Sequence, residues 1–264
     1  MELLHKELTF ELRKCMIEVH NDIGVGFDEE TFHGGLIRRF MKADMPFVSK
    51  QQRTLMHRGA PIKTFELDFL ADEKVIIELK CLRCNFLRAN YVQILSHLKL
   101  WQKDLGLLVN WGFPRLQIKR IPFTEKPKQV VEDFSYIKGA LTEHERRTLA
   151  RLRDAILYVL ETHGLGYGKS VCQDLVENEL QYRQIKVEKG KIVDVMYGSL
   201  LIRSFPMRFW LIENQILCDI TALQDRILPE HAVRMQTFLK HLKLTTGLIV
   251  NFGKTHLELR GVHY

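Results

Sequence analysis

Apolar residues recur with a helical period over two stretches of this chain, roughly Leu8 to Asn21 and roughly Thr148 to Thr162. Each stretch runs into a glycine pair, Gly24-Val-Gly26 after the first and Gly164-Leu-Gly166 after the second. Further on, Gly106-Leu-Leu-Val-Asn-Trp-Gly112 reads as an apolar strand and turn, and Gly247-Leu-Ile-Val-Asn-Phe-Gly253 repeats it. Leu98-Lys-Leu100 precedes the first of these and His241-Leu-Lys-Leu244 the second; strand-like segments, Arg115 to Arg120 and His256 to Arg260, follow them. Equivalent points lie about 140 residues apart, so the chain reads as one unit written twice. Each unit is expected to run helix, helix, three strands, helix, two strands. The third helices are placed near Asn90 to Lys99 and near Glu230 to Leu242. The charged segment Thr124 to Glu145, which holds Pro127, reads as a linker between a first domain at 1–125 and a second at 140–264. Two copies of one architecture in one chain are expected to associate about a pseudo-two-fold axis, as an intrachain pseudo-dimer.

Within the first copy one stretch carries candidate chemistry. Thr64-Phe-Glu-Leu-Asp68-Phe-Leu-Ala alternates, Asp72-Glu-Lys74 makes a tight turn, and the apolar strand Val75-Ile-Ile77 ends in Glu78-Leu79-Lys80. Period two puts Glu78 and Lys80 on one face and Leu79 on the other. Pairing of the strands as a hairpin brings Asp68 beside Glu78. Two carboxylates in contact repel unless a cation lies between them, and Mg²⁺ suits such oxygen ligands. A lysine alongside can polarise a water, which completes the minimal equipment for metal-assisted phosphodiester hydrolysis. The same three residue types are also ordinary surface residues after a strand, so the other elements must decide.

Composition narrows the setting. The chain has 264 residues, 46% hydrophobic and 27% charged, as in globular proteins of one or two domains. The net charge is +7 and the pI about 9.1, with the excess spread over both copies, which fits a nucleic-acid partner. No apolar run reaches the length of a membrane span, the N-terminal stretch is no signal peptide, and five cysteines argue against a disulfide framework. A cytoplasmic setting is expected.

Two glycine motifs fail as nucleotide sites. Gly24-Val-Gly26 lacks a preceding strand and a third glycine, and reads as a helix end followed by a new helix start, with Glu29 in its first turn. Gly164-Leu-Gly-Tyr-Gly168-Lys-Ser170 has His163 where a phosphate-binding loop needs its first glycine. No nucleotide cofactor is expected. Cys81-Leu-Arg-Cys84 lacks the second cysteine pair of a structural zinc site. Gln93 and His97 share a helix face at i, i+4.

Taken together, these residues resemble the GxxExxY family of the PD-(D/E)XK nuclease superfamily. The resemblance covers roughly Glu7 to Pro122. Gly26-x-x-Glu29-x-x-Phe32 resembles the naming motif with Phe in place of Tyr. Asp68, Glu78-Leu-Lys80, Gln93 and the Gly106–Gly112 strand fall on the family's motifs in order, with His97 in place of its usual tyrosine. The resemblance implies an α/β fold, a small mixed sheet of about four to five strands flanked by helices. It also implies a metal-dependent nuclease. Asp68, Glu78 and the carbonyl of Leu79 would hold Mg²⁺ or Mn²⁺. Glu29 would orient a water or complete the metal shell, Lys80 would activate the attacking water, and Gln93 would position Lys80 or the substrate backbone. DNA is the expected substrate. The alternative is a non-catalytic module that keeps the fold and binds nucleic acid or a protein.

The second copy loses this set. Lys169 stands for Glu29, Arg208 for Asp68, and Asp219 with Thr221 for Glu78 and Lys80, while the glutamine position falls on Thr237 or Gln236. With two acids replaced by cations the pocket should repel a metal, and this half is expected to be a catalytically dead copy. Lys169 and Arg208 could instead contact phosphates.

Overall fold

The computed structural model describes residues 3–264. Its elements are α1 (Lys6–Ile23), α2 (Glu29–Lys42), β1 (Phe47–Ser49), β2 (Gln52–His57), β3 (Ala60–Glu66), β4 (Phe69–Ala71), β5 (Val75–Lys80), α3 (Arg88–Trp101), β6 (Leu105–Asn110), β7 (Gln117–Pro122) and β8 (Val130–Asp133). There follow α4 (Glu143–His163), α5 (Lys169–Tyr182), β9 (Val187–Glu188), β10 (Ile192–Tyr197), β11 (Leu200–Pro206), β12 (Trp210–Ile212), β13 (Ile216–Ala222), α6 (Pro229–Leu242), β14 (Thr246–Phe252) and β15 (Leu257–His263). Five strands, not three, separate the second and third helices of each half. The hydrophobic pattern merges the short β1 and β9 with their neighbours and gives no sign of where β3 passes into β4.

The chain divides into two compact units. One comprises the residues up to Leu55 together with Lys63–Thr124; the other comprises Met56–Ile62 with Glu125–Tyr264. The first unit holds a mixed sheet ordered β1-β4-β5-β6-β7, in which only β5 and β6 run parallel. Helices cover both faces. Val75, Ile77 and Leu79 of β5 pack with Leu105, Leu107 and Val109 of β6 under Leu12, Met16, Phe32, Leu36 and Phe40 of α1 and α2. On the opposite face α3 lies so close that a Cβ on Gly106 would come 2.6 Å from Ile94 Cδ1. That is why the apolar strand motif begins with glycine.

Local chemistry sets the helix ends. Gly24 at φ +81° closes α1 by donating its N–H to the His20 carbonyl at 2.9 Å. Asp28 then caps α2 by accepting from Thr31 N at 2.9 Å, leaving Glu29 at the first helical position.

The second unit holds a six-stranded mixed sheet ordered β8-β15-β14-β13-β12-β9. Strand β8, within the segment expected to be a linker, adds to it by parallel pairing with β15. Thr142 and Glu145 form a reciprocal capping box at the start of α4. Glu179 of α5 is fully buried and accepts from Arg58 at 2.9 and 3.0 Å, from Arg183 at 2.6 Å and from His57 at 2.9 Å. Burial would push this carboxyl upward, but the three donors outweigh it and hold it at about 2. Among the described residues no helix is long and apolar enough to cross a membrane.

Candidate active site

The candidate site lies where β4 and β5 leave their shared hairpin. Asp72 and Glu73 take left-handed φ values of +46° and +49°, giving the tight turn that the Asp-Glu-Lys sequence suggests. The register set by that turn pairs Phe69 with Ile77. Continued by one residue, it sets Asp68 opposite Glu78. Asp68 Oδ2 accepts the Leu79 N–H at 2.8 Å, so the carboxylate is fixed to the strand that carries the other acid.

Glu78 is almost wholly buried and lies among donors. Lys80 Nζ is 3.0 Å from its Oε1, and the Gln93 amide donates to that same oxygen. His97 Nδ1 stands 3.1 Å from Glu78 Oε2, but out of line for a hydrogen bond, so that both buried atoms are left without one. The two α3 residues at i, i+4 therefore both meet the carboxylate. The Lys80 ammonium also donates to the Leu79 carbonyl at 2.6 Å and lies 3.6 Å from Glu29 Oε2 at the start of α2. Desolvation pulls the lysine's pKa down, but the charges of Glu78, Glu29 and Asp68 outweigh it and raise it above the usual range. Lys80 is accordingly a charged hydrogen-bond donor here, not a free base.

Sequence reasoning left out Lys50. It sits between β1 and β2, distant in sequence from the hairpin. Its Nζ lies 3.1 Å from Asp68 Oδ1, and its N–H donates to the Asp68 carbonyl at 3.2 Å. Desolvation lowers its pKa, but Asp68 first, then Glu30 and Glu66, raise it to a net upward shift. No sequence pattern marks it. His97 was visible as the helical neighbour of Gln93, but its approach to Glu78 was not. Phe32, at the aromatic position of the Gly26–Phe32 motif, is buried and stacks on Trp111 at 4.7 Å between ring centroids, so it serves the core.

The residues fit a hard divalent cation in chemistry. Asp68, Glu78 and the Leu79 carbonyl are an all-oxygen set, each now facing an ammonium, and Glu78 keeps one buried oxygen without a hydrogen bond. Among the described residues no group of three or more His, Cys, Asp or Glu side chains is arranged to hold a metal. Two carboxylates and one carbonyl thus leave further positions to water and substrate, as Mg²⁺ usually requires.

The equivalent place in the second half differs in sign. Strands β13 and β14 pair Ile216 with Thr246 as β5 and β6 pair Val75 with Leu105, which sets Asp219 in the position of Glu78 and Thr221 in that of Lys80. Asp219 is flanked by Arg234 at 3.3 Å and Lys169 at 3.8 Å. The Ile220 carbonyl, matching that of Leu79, accepts from Gln173 at 3.3 Å. The glutamine position is held by Arg234, not by Thr237 or Gln236. Met235 meets Gly247 as Ile94 meets Gly106, which fixes the register of α6. Matching the helices by sequence slips this register by two or three residues, at most nearly one helical turn, and such a slip largely preserves the apolar face. One extra residue precedes β12, so Asp68 is matched by the pair Arg208-Phe209. Phe209 is buried in the core, and Arg208 is exposed.

Comparison with known proteins gives one family. The model described as the PD-(D/E)XK nuclease superfamily matches residues 6–121 and again residues 146–262. No curated protein matches the chain. A solved structure titled "Crystal structure of SSO0001" is 20% identical over 45% of this chain and 57% of that one, with a TM-score of 0.28, too low to carry an argument. The chain thus spans little more than half the length of that protein.

Proposed function

The chain belongs to the PD-(D/E)XK nuclease superfamily, and from that premise we propose that its first half cleaves phosphodiester bonds of nucleic acid, DNA foremost. Membership points to nuclease chemistry with a divalent metal such as Mg²⁺ and to a nucleic-acid substrate. The finer reading, a GxxExxY-type domain over 1–125 with an inactive copy over 140–264, rests on the residues. One observation carries it: Asp68, the residue before β4, is bonded to β5 beside Glu78 with Lys80 next to it, and the second half has Phe209, Asp219 and Thr221 in their places.

Asp68, Glu78 and the Leu79 carbonyl would hold Mg²⁺ or Mn²⁺, which when bound polarises the scissile phosphate and the attacking water. Lys80 Nζ, charged and held between the Glu78 carboxylate and the Leu79 carbonyl, donates to that water and to the charge that develops on the phosphate. Gln93 holds the Glu78 carboxylate through its amide, and His97 stands beside the other oxygen. Glu29, half-exposed at the start of α2, orients the water next to Lys80. In the second half Asp219 is neutralised by Arg234 and Lys169, so that half contributes structure or phosphate contacts through Lys169 and Arg208. We read the two halves as an intrachain pseudo-dimer.

The test is incubation of the full chain with plasmid, linear and single-stranded DNA and with RNA, in Mg²⁺, Mn²⁺ or EDTA. Cleavage of at least one of them that requires metal supports the reading. Binding without cleavage under every metal condition would instead favour a non-catalytic module.

A further inference from the structure

Lys50 stands outside every motif of the first half, yet it reaches into the candidate site. Its position is built. The residue takes a left-handed φ of +52°, which an L side chain adopts at a cost, and its N–H is tied to the Asp68 carbonyl at 3.2 Å. That anchor holds the side-chain stem alongside Asp68, where the ammonium meets Oδ1 at 3.1 Å. Oδ2 is committed to the Leu79 N–H, so Oδ1 is the oxygen that Asp68 can offer a metal. Lys80 meanwhile covers Glu78 Oε1 and the Leu79 carbonyl. The two ammoniums therefore stand over the oxygens that a metal would use, one on each side. They differ in exposure: the Lys80 side chain is 12% exposed, whereas that of Lys50 is 40% exposed and borders solvent.

We infer that Lys50 is a displaceable counter-ion of Asp68: it neutralises the carboxylate while no metal is bound and, once displaced, binds a backbone phosphate of the nucleic acid. The inference rests on the metal-site reading given above. Electrostatics supports both halves of it. A cation at Asp68 removes the attraction that holds the Lys50 ammonium inward and repels it. The nearest anion then offered to a lysine at the mouth of the site is the phosphodiester chain of the substrate. The lysine thus spares the protein an unpaired, partly buried carboxylate before loading and becomes a substrate contact afterwards.

The test uses the full chain with Lys50→Met, which keeps most of the stem, and Lys50→Arg, which keeps the charge. Mn²⁺ affinity is measured calorimetrically without nucleic acid. Loss of a partly exposed competing ion pair should tighten Mn²⁺ binding about two- to five-fold in Lys50→Met, with Lys50→Arg close to wild type. Binding of a short DNA duplex is then measured with Mn²⁺ across a salt series, in a Lys80→Ala background that does not cut. Adding Lys50→Met should weaken binding and flatten the logarithmic salt slope by about one. Unchanged or weaker Mn²⁺ affinity in Lys50→Met overturns the inference, and so does an unchanged salt slope. A wild-type chain that binds no Mn²⁺ even with DNA present sinks the metal-site reading itself, a result distinct from equal binding by wild type and variant.

Discussion

Replacing Asp68 with Asn separates chemistry from folding at this site. The amide is nearly isosteric, and its oxygen can still accept the Leu79 N–H that joins the hairpin strands at 2.8 Å. What the fold loses is the charge opposite Lys50, a pair at 3.1 Å whose side chains are 40% and 15% exposed. Partly exposed pairs of this kind contribute roughly 0.2–1 kcal/mol, so the stability of the first unit should fall by no more than about 1 kcal/mol. Activity should respond on another scale. With one of two carboxylates neutral, the site loses the charge that holds the divalent cation, and metal-dependent cleavage should drop by about 10³-fold or more, to background. The assay is plasmid or oligonucleotide cleavage with Mn²⁺, run beside urea unfolding of the same preparations. A variant that cuts within a few-fold of wild type removes Asp68 from the site. A variant destabilised by several kcal/mol would mean that the carboxylate charge maintains the hairpin, and any loss of activity would then say nothing about metal.

Three further outcomes follow from the geometry. Lys80→Ala should abolish cleavage while substrate binding stays within a few-fold of wild type, because its role lies in the transition state; wild-type turnover by this variant, measured with the same substrates, would assign the activity to a contaminant. In the second half, Lys169→Ala with Arg208→Ala should weaken DNA binding and flatten its salt dependence by up to about two if both contact phosphates; an unchanged slope would leave Lys169 as a partner of Asp219 alone. Glu179, held at about 2 against about 4.5 when unfolded, gives stability that is fully present above pH 4.5 and lost as pH falls through 2. At 1.36 kcal/mol per unit this is about 3 kcal/mol, so the gap in unfolding free energy between wild type and Glu179→Gln should be largest near neutrality and shrink below pH 4.5. A gap independent of pH would refute that account.

The sequence alone determined what local spacing can determine. The sequence located α1, α3 and α6 with boundaries within a few residues and α4 except for its first turn, which begins earlier at Glu143, and it placed α2 and α5 only as helices after the glycine pairs. Self-similarity revealed the tandem halves. The Asp72–Lys74 turn sets a hairpin register, so Asp68 opposite Glu78 is legible from spacing alone, because two short strands joined by a tight turn have few other ways to pair. Contacts between residues far apart in sequence were beyond its reach. That Gln93 and His97 converge on Glu78 depends on how deeply α3 settles against Gly106, and Lys50 reaches Asp68 only because β1 pairs beside β4. Sequence matching passes over Arg234 because a helix displaced by at most nearly one turn shows largely the same apolar face, and only the fit of Met235 against Gly247 selects the register. Strand β8 gave no signal: two exposed valines and two acids become a strand because the β15 edge offers them backbone partners. Periodicity and turns are encoded residue by residue along the chain, whereas the charges gathered around Asp68 and Glu78 are set by packing between elements, which only the folded chain specifies.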